Sequence, residues 1–249
     1  MIFKEIAGIN MNILTKYTQI MGIKLDSKQI EQLHTYKNLL IEWNQKVNLT
    51  AITDPKEIIV KHFLDSMAIH AVSPVLNKQG FKVIDVGSGA GFPGLVLQIA
   101  FPKCNITLLE STQKKVKFLQ FVKTKLELTN LTVIGARAEL AAHNVLFREV
   151  FDLVVARGVA RLSTLSELTL PFCKINGLCV LHKGPNPDKE LTQASKAINH
   201  MGGNKAELLS LNQSLSLPSN NTVFVKLIKI SKTPARFPRA DGMPKKSPL

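Results

Sequence analysis

Three kinds of residue are spaced for chemistry at one place: a cluster of glycines, two carboxylates that flank it, and an arginine ending a later apolar run. Val83-Ile84-Asp85-Val86 is an apolar run broken by one acid, and Gly87-Ser88-Gly89-Ala90-Gly91 follows directly. Gly87 and Gly89 suit a sharp turn and a close approach of backbone to ligand, while Gly91 lets the helix opening near Phe92-Pro93 pack close to the strand. Pro93 suits the first helical turn, where a missing N–H costs nothing. Glu110 ends the next apolar run and delivers a second carboxylate beside the turn. A strand, a turn without side chains, a helix and a second strand ending in an acid together predict a site for an adenosine-containing cofactor, with Glu110 on the ribose diol.

The charge of the ligand decides which cofactor fits. A dinucleotide places a pyrophosphate on this turn and wants backbone donors there. An acid two residues before the first glycine is a poor neighbour for phosphate. S-adenosylmethionine brings an ammonium and a sulfonium to the same place, so Asp85 becomes favourable, directly or through water. Asp85, Gly87, Gly89 and Glu110 are therefore the expected cofactor residues of the first two strands.

Two later segments extend the site. Gly135-Ala136-Arg137-Ala138-Glu139 falls at the end of a third apolar run, where Ala138 and neighbouring backbone suit the edge and face of an adenine ring. Val154-Val155-Ala156-Arg157-Gly158 ends the fourth, and a planar guanidinium there can fork onto a phosphate or a base edge. Lys183-Gly184 repeats this logic at the fifth. Arg157 and Lys183 are thus the candidate catalytic residues, and no metal-ligating spacing accompanies them. Two reactions lack their signatures: there is no Asn/Asp-Pro-Pro-aromatic loop after the fourth run for exocyclic amines, and no Pro-Cys nucleophile for pyrimidine C5. A ring nitrogen with its own lone pair needs neither, only alignment and exclusion of water.

The elements that position these residues follow from periodicity. Leu33, Tyr36, Leu40 and Trp43 recur at helical spacing, as do Ile59, Phe63 and Met67, so residues 1–75 read as a helical cap, with Trp43 and Phe63 as contacts between its helices. Short apolar runs at Lys82–Val86, Ile106–Leu109, Leu131–Ile134, Phe151–Val155 and Gly177–Leu181 then alternate with helical stretches. This predicts an α/β fold with a mainly parallel, Rossmann-like sheet over residues 76–231. Runs at Leu208–Leu211 and Val223–Ile230, either side of the Pro/Ser/Asn-rich Leu217–Asn221, predict an antiparallel edge. Residues 232–249 read as an extended, basic, proline-rich tail that lies on the surface or orders upon binding.

The 249 residues, 45% of them hydrophobic, allow one large domain with an extension. Three cysteines without metal spacing predict buried thiols. Neither a signal peptide nor a bilayer-length apolar run is present, so a cytoplasmic protein without membrane attachment is expected. The net charge of +14 is uneven. Lys114, Lys115, Lys117, Lys123 and Lys125 occur with no acid between Ser111 and Leu126, and basic residues dominate from Lys226 onward. Nucleic acid is the first candidate partner.

Together, Trp43-Asn44, Asn48-Leu49-Thr50, His62-Phe63-Leu64-Asp65-Ser66, the glycine turn through Gly94, Leu109-Glu110-Ser111, Ala138-Glu139 and Ala156-Arg157 resemble the bacterial RsmG (GidB) family from about Leu25 onward. The resemblance implies a class I methyltransferase acting on a guanine N7 of small-subunit (16S) ribosomal RNA, free or in a 30S particle. It also implies cofactor contacts at Gly87, Phe92, Ala138, Glu139 and Arg157, and it favours a substrate-positioning role for His62. Gly158 departs from the alanine found in many members. A monomer is expected. Two rival functions stay open: a ribose 2′-O-methyltransferase using Lys183, and a non-catalytic RNA-binding assembly factor. A nicotinamide oxidoreductase is disfavoured by Asp85 and the basic balance.

Overall fold

The computed structural model describes residues 12–158, 160–185, 187–210 and 223–249. Leu211 and the expected Leu217–Asn221 linker lie outside them. Seven strands, β1 (Lys82–Val86), β2 (Asn105–Glu110), β3 (Leu131–Gly135), β4 (Phe151–Arg157), β5 (Cys173–Lys183), β6 (Glu207–Ser210) and β7 (Val223–Ile228), form one sheet in the order β3-β2-β1-β4-β5-β7-β6. The first five are parallel, β7 runs antiparallel to β5, and β6 antiparallel to β7. The strand order reverses between β1 and β4. A crevice therefore opens at the carboxyl ends of the two strands that carry the glycine turn and Arg157.

Alternation along each strand divides the core in two. Val83, Leu108, Leu153 and Val155 face the layer holding α1 (Ser27–Asn44), α2 (Gly94–Ala100) and α3 (Gln113–Lys125). Ile84, Val86, Val154 and Ala156 face α5 (Leu162–Thr169) and α6 (Asp188–His200), while α4 (Ala138–Ala141) closes the end of β3. Helix α1 buries Leu33, Tyr36 and Leu40 as one stripe. Its start is fixed by a capping box in which Asp26 and Gln29 exchange side-chain-to-backbone hydrogen bonds of 2.8 Å. Gln29 also donates to the Ile99 and Ala100 carbonyls at the end of α2. The cap thus satisfies acceptors that α2 leaves open, and its side chains belong to the same buried cluster as the sheet.

Three local expectations change. Helix α2 begins at Gly94 with Pro93 as its N-cap, and Gly94, not Gly91, allows the close approach to the strand. A Cβ on Gly94 would stand 2.4 Å from Leu108 Cδ2 and 2.7 Å from Asp85 Cβ, whereas one on Gly91 would meet Tyr36 Oη and Leu95. Trp43 packs on Phe118 and Phe121 of α3, 5.4 and 5.2 Å between centroids, so it ties the cap to the sheet layer.

The third concerns the C-terminus, which is held on the domain by buried side chains and ends in a helical turn where an extended surface tail was expected. Phe237 and Pro238 are buried and a short helix, α7 (Met243–Lys246), closes the chain. The reason is polar pairing that composition does not reveal. Arg239 meets the fully buried Glu167 through both guanidinium and backbone N–H. Thr164 donates to the Pro244 carbonyl, and Gly242 N–H donates to Glu139. Lys229, also buried, pairs with Glu149 and donates to the Leu170 and Met201 carbonyls. Of the basic residues from Lys226 onward, Lys226, Lys229 and Arg239 are thus paired with Glu207, Glu149 and Glu167.

Candidate functional site

The crevice has two lobes that share Gly87 and Ser111. One, of about 180 Å³, is lined by Val86, Leu109, Ala138, Glu139, Thr164 and Lys245 among others. The other, of about 370 Å³, is lined by Thr50, His62, Phe92, Glu110, Lys115 and Arg157 among others. Both together fall in the size range of sites that enclose a small molecule.

The turn between the lobes is built as its glycines require. Gly87, Gly89 and Gly91 have φ of 76°, 58° and 106°, a region that side chains disfavour. Glu110 clamps the turn: Oε2 accepts from Gly89 N–H at 2.9 Å and Oε1 from Thr112 N–H at 2.7 Å. Tyr36, buried in the cap, donates to the Ala90 carbonyl at 2.6 Å. Burial lifts the Tyr36 hydroxyl well above its ordinary pKa and so keeps it a donor.

Asp85 lies under the turn and does not line either lobe. Its carboxylate is fully buried, Oδ2 accepts from Gly94 N–H at 2.9 Å, and Oδ1 has no partner among the described residues. Desolvation pushes its pKa up to about 7, against the opposing influence of the Gly94 and Ser88 hydrogen bonds and the Arg157 charge. An unsatisfied buried carboxylate oxygen at this point matches a cationic group, directly or through a water.

In the first lobe Ala138 and Glu139 form the opening turn of α4, whose N–H groups have no acceptor within the helix. The Glu139 carboxylate accepts from Gly242 N–H and lies 3.5 Å from Arg137 Nη2, so the C-terminal segment forms part of this wall.

Arg157 faces the second lobe and joins sheet to cap. Its Nη1 donates to the Lys61 carbonyl at 3.0 Å, its Nη2 to His62 Nδ1 at 2.8 Å, and its guanidinium lies 4.8 Å above the Phe92 ring. His62 stacks on the same ring at 4.2 Å and sits on a π-helical turn, Ile59–Leu64. Burial and then the Arg157 charge push the His62 pKa down to about 3, so the ring is neutral. His182, opposite Arg157 in the sheet register, lies within hydrogen-bonding distance of the Asp65 carbonyl and is likewise pushed to about 3 by burial.

Lys183 does not join this group. Its ammonium is held by Glu190 at 2.6 Å and by the Ala160 carbonyl, and it lines neither lobe. Sequence reasoning places it at a strand end correctly but lacks the α6 carboxylate that captures it. Conversely, Tyr36 carries no sequence signal of a role beyond its helical stripe, and Thr50 and Gly94 enter only as members of the motifs that carry the resemblance; the folded position of the cap brings Tyr36 to the turn and Thr50 to the second lobe. On α3, Lys114 and Lys117 are exposed, Lys115 reaches the cleft, and none of its lysines forms an ion pair among the described residues.

The family described as rRNA small subunit methyltransferase G matches residues 29–218. The chain belongs to this family. Its relatives include the ribosomal RNA small subunit methyltransferase G of Dehalococcoides mccartyi, 43% identical over 96% of this chain and 100% of that one. The protein of the same name from Alkaliphilus metalliredigens is 41% identical over 95% and 98%. Among solved structures, a putative S-adenosyl-L-methionine-dependent methyltransferase from Methanococcus maripaludis covers 79% of this chain and 93% of its own at 12% identity and a TM-score of 0.53. A SAM-dependent O-methyltransferase from Thermotoga maritima gives the same TM-score at 16% identity, covering 78% of this chain and 72% of its own. The fold is that of class I methyltransferases, and the chain is an S-adenosylmethionine-dependent methyltransferase.

Proposed function

We propose that this protein transfers a methyl group from S-adenosylmethionine to a guanine N7 in small-subunit ribosomal RNA. Family membership supplies the RNA substrate, and the character of the cleft supports the ring nitrogen. Each carboxylate or imidazole in the second lobe is already committed to a donor: Glu110 to Gly89 and Thr112, His62 Nδ1 to Arg157. A hydroxyl or amine acceptor needs a group to take its proton, and N7 does not. Lys183, the candidate for activating a ribose hydroxyl, is held outside the cleft by Glu190. That one observation favours N7 over the 2′-hydroxyl reading.

The cofactor supplies an electrophilic methyl on a sulfonium. In this reading Asp85 meets the ammonium end, and Gly87 and Gly89 let the backbone approach the ligand. Glu110 takes the ribose hydroxyls with the lone pairs its backbone donors leave over, and Ala138 and Glu139 face the adenine in the smaller lobe. Phe92, backed by Arg157 and His62, forms the floor between methyl donor and target base. Arg157 borders both. The chain's work is alignment and exclusion of water. The helical cap forms the substrate wall against the cofactor domain, and the α3 lysines take phosphates. The protein acts as a cytoplasmic monomer on rRNA or a 30S particle.

The test is mass mapping of modified nucleotides in rRNA from cells with and without this protein, together with labelled methyl transfer to naked rRNA and to 30S particles. A single N7-methylguanosine that disappears with the protein is expected. Loss of a ribose methylation instead, or no change, overturns the reading.

A further inference from the structure

The hydroxyl of Thr50 has its hydrogen-bonding direction fixed by a chain of neighbours that begins at Arg157. His62 Nδ1 lies 2.8 Å from Arg157 Nη2 and 3.2 Å from the Lys61 carbonyl; that carbonyl already accepts from Arg157 Nη1 at 3.0 Å and a guanidinium only donates, so the shorter contact makes Nδ1 the acceptor. The neutral ring therefore carries its proton on Nε2, which lies 2.9 Å from Thr50 Oγ1 and donates to it. Ile52 N–H donates to the same oxygen at 3.1 Å. A hydroxyl offers two acceptor positions and one proton. Both acceptor positions are taken, and Thr50 lines the larger lobe of the cleft.

The residue is also held rigidly. Asn44 Oδ1 accepts from Leu49 N–H at 2.8 Å and Thr50 N–H at 3.0 Å, and its Nδ2 donates to the Thr50 carbonyl at 2.9 Å. The end of α1 thus aims a donor-only hydroxyl at the space where the target base must lie. We propose that the Thr50 hydroxyl donates to O6 of the target guanine and so selects guanine over adenine for methyl transfer. This rests on the guanine-N7 reading. N7 and O6 are adjacent acceptors on one edge of guanine, whereas adenine presents an amino donor in place of O6. Two donors opposed in an enclosed cleft leave both unsatisfied, which rejects the wrong base far better than shape alone.

The experiment compares kcat/KM on two rRNA substrates, one with guanine at the mapped position and one with 2-aminopurine, which keeps N7 and lacks O6. For the unaltered protein, 2-aminopurine should cost about fivefold to tenfold, the worth of one hydrogen bond to an otherwise unpaired group. Thr50→Val should lose a similar factor on guanine and then show nearly equal rates on the two substrates. Thr50→Ser should restore both the rate and the discrimination. A structural role alone would lower both rates together and leave their ratio unchanged. Equal rates on the two substrates with the unaltered protein would overturn the proposal without any variant, and so would an unchanged ratio in Thr50→Val. Product mapping on the unaltered protein keeps the two readings separate: a methyl group found on another atom overturns the N7 assignment instead.

Discussion

Cofactor affinity should depend on pH through Asp85, and the size of the effect follows from its burial. The carboxylate is fully buried with one oxygen unpartnered among the described residues, and desolvation raises its pKa to about 7. Glu110 adds to this rise, while the Gly94 and Ser88 hydrogen bonds and the Arg157 charge oppose it without cancelling it. A ligand ammonium is attracted by the ionised form, whose share in the free protein falls from about 0.9 at pH 8 to about 0.1 at pH 6. Since the apparent Kd scales inversely with the competent fraction, the Asp85 contribution alone weakens binding about tenfold across that interval, about 1.4 kcal/mol. The ligand's own α-amino group titrates at about 7.7 to 8.0 and is about half deprotonated at pH 8, so the net weakening from pH 8 to pH 6 is about fourfold and affinity peaks slightly above neutrality.

Stability of the free protein moves the other way at this residue. A carboxyl raised above its unfolded value stabilises at low pH, and that contribution disappears as pH rises through about 7. His62 and His182, both pushed to about 3, act oppositely: their contribution is present above the unfolded value of 6.5 and is lost as pH falls toward 3. Bound cofactor should therefore raise the melting temperature more at pH 8 than at pH 6. Calorimetric titration of S-adenosylhomocysteine in two buffers of different ionisation enthalpy reads the coupled proton directly. Release of about half a proton near pH 7 is expected, and Asp85→Asn should remove it, leaving Gly94 N–H bonded to the amide oxygen. Affinity independent of pH between 6 and 7.5, with no proton released, would refute the reasoning about Asp85.

Arg157→Ala strands the Lys61 carbonyl and His62 Nδ1 and removes the cation above Phe92, so methyl incorporation should fall at least about tenfold; activity within about twofold would place the residue outside the reaction. Arg239→Ala leaves Glu167 buried without its bidentate partner and should cost about 3 kcal/mol in urea denaturation, and an unchanged midpoint would mean that the C-terminal segment does not hold that carboxylate. Replacing Lys114, Lys117 and Lys123 by Gln should reduce the salt dependence of RNA affinity by about 0.7 to 0.9 in slope for each phosphate that is no longer neutralised, with cofactor affinity unchanged; parallel salt titrations would remove α3 from the RNA surface.

The parts legible in the sequence are those written in local patterns. Short apolar runs mark β1 to β5, and glycines with positive φ mark the turn after β1, because each pattern is enforced by its immediate neighbours. The antiparallel β6–β7 edge is legible for the same reason. What escapes depends on partners distant along the chain. Composition makes the C-terminal segment read as extended, since four prolines and several cations carry no information about a buried carboxylate at Glu167, 72 positions earlier than Arg239. Lys183 reads as a free cation because Glu190 belongs to a helix whose packing no local window reveals. Gly94 is assigned too little and Gly91 too much, since which glycine touches the strand depends on where α2 begins.

The same long-range contacts explain how a cleft assembled from separate segments keeps its geometry. Tyr36 grips the Ala90 carbonyl from the cap, Arg157 grips Lys61 and His62 from β4, and His182 on β5 meets the Asp65 carbonyl. Each contact joins a wall built by the cap to a strand end or turn that faces the cofactor. Each involves a group held in one protonation state by burial: Tyr36 as phenol, and the two histidines as neutral rings. Titration near neutral pH therefore leaves this connection intact while it changes Asp85 beneath the turn. In the proposed function the cap wall receives the base and the turn the methyl donor; the two are fixed relative to each other during folding, and orientation need not be established anew at each turnover.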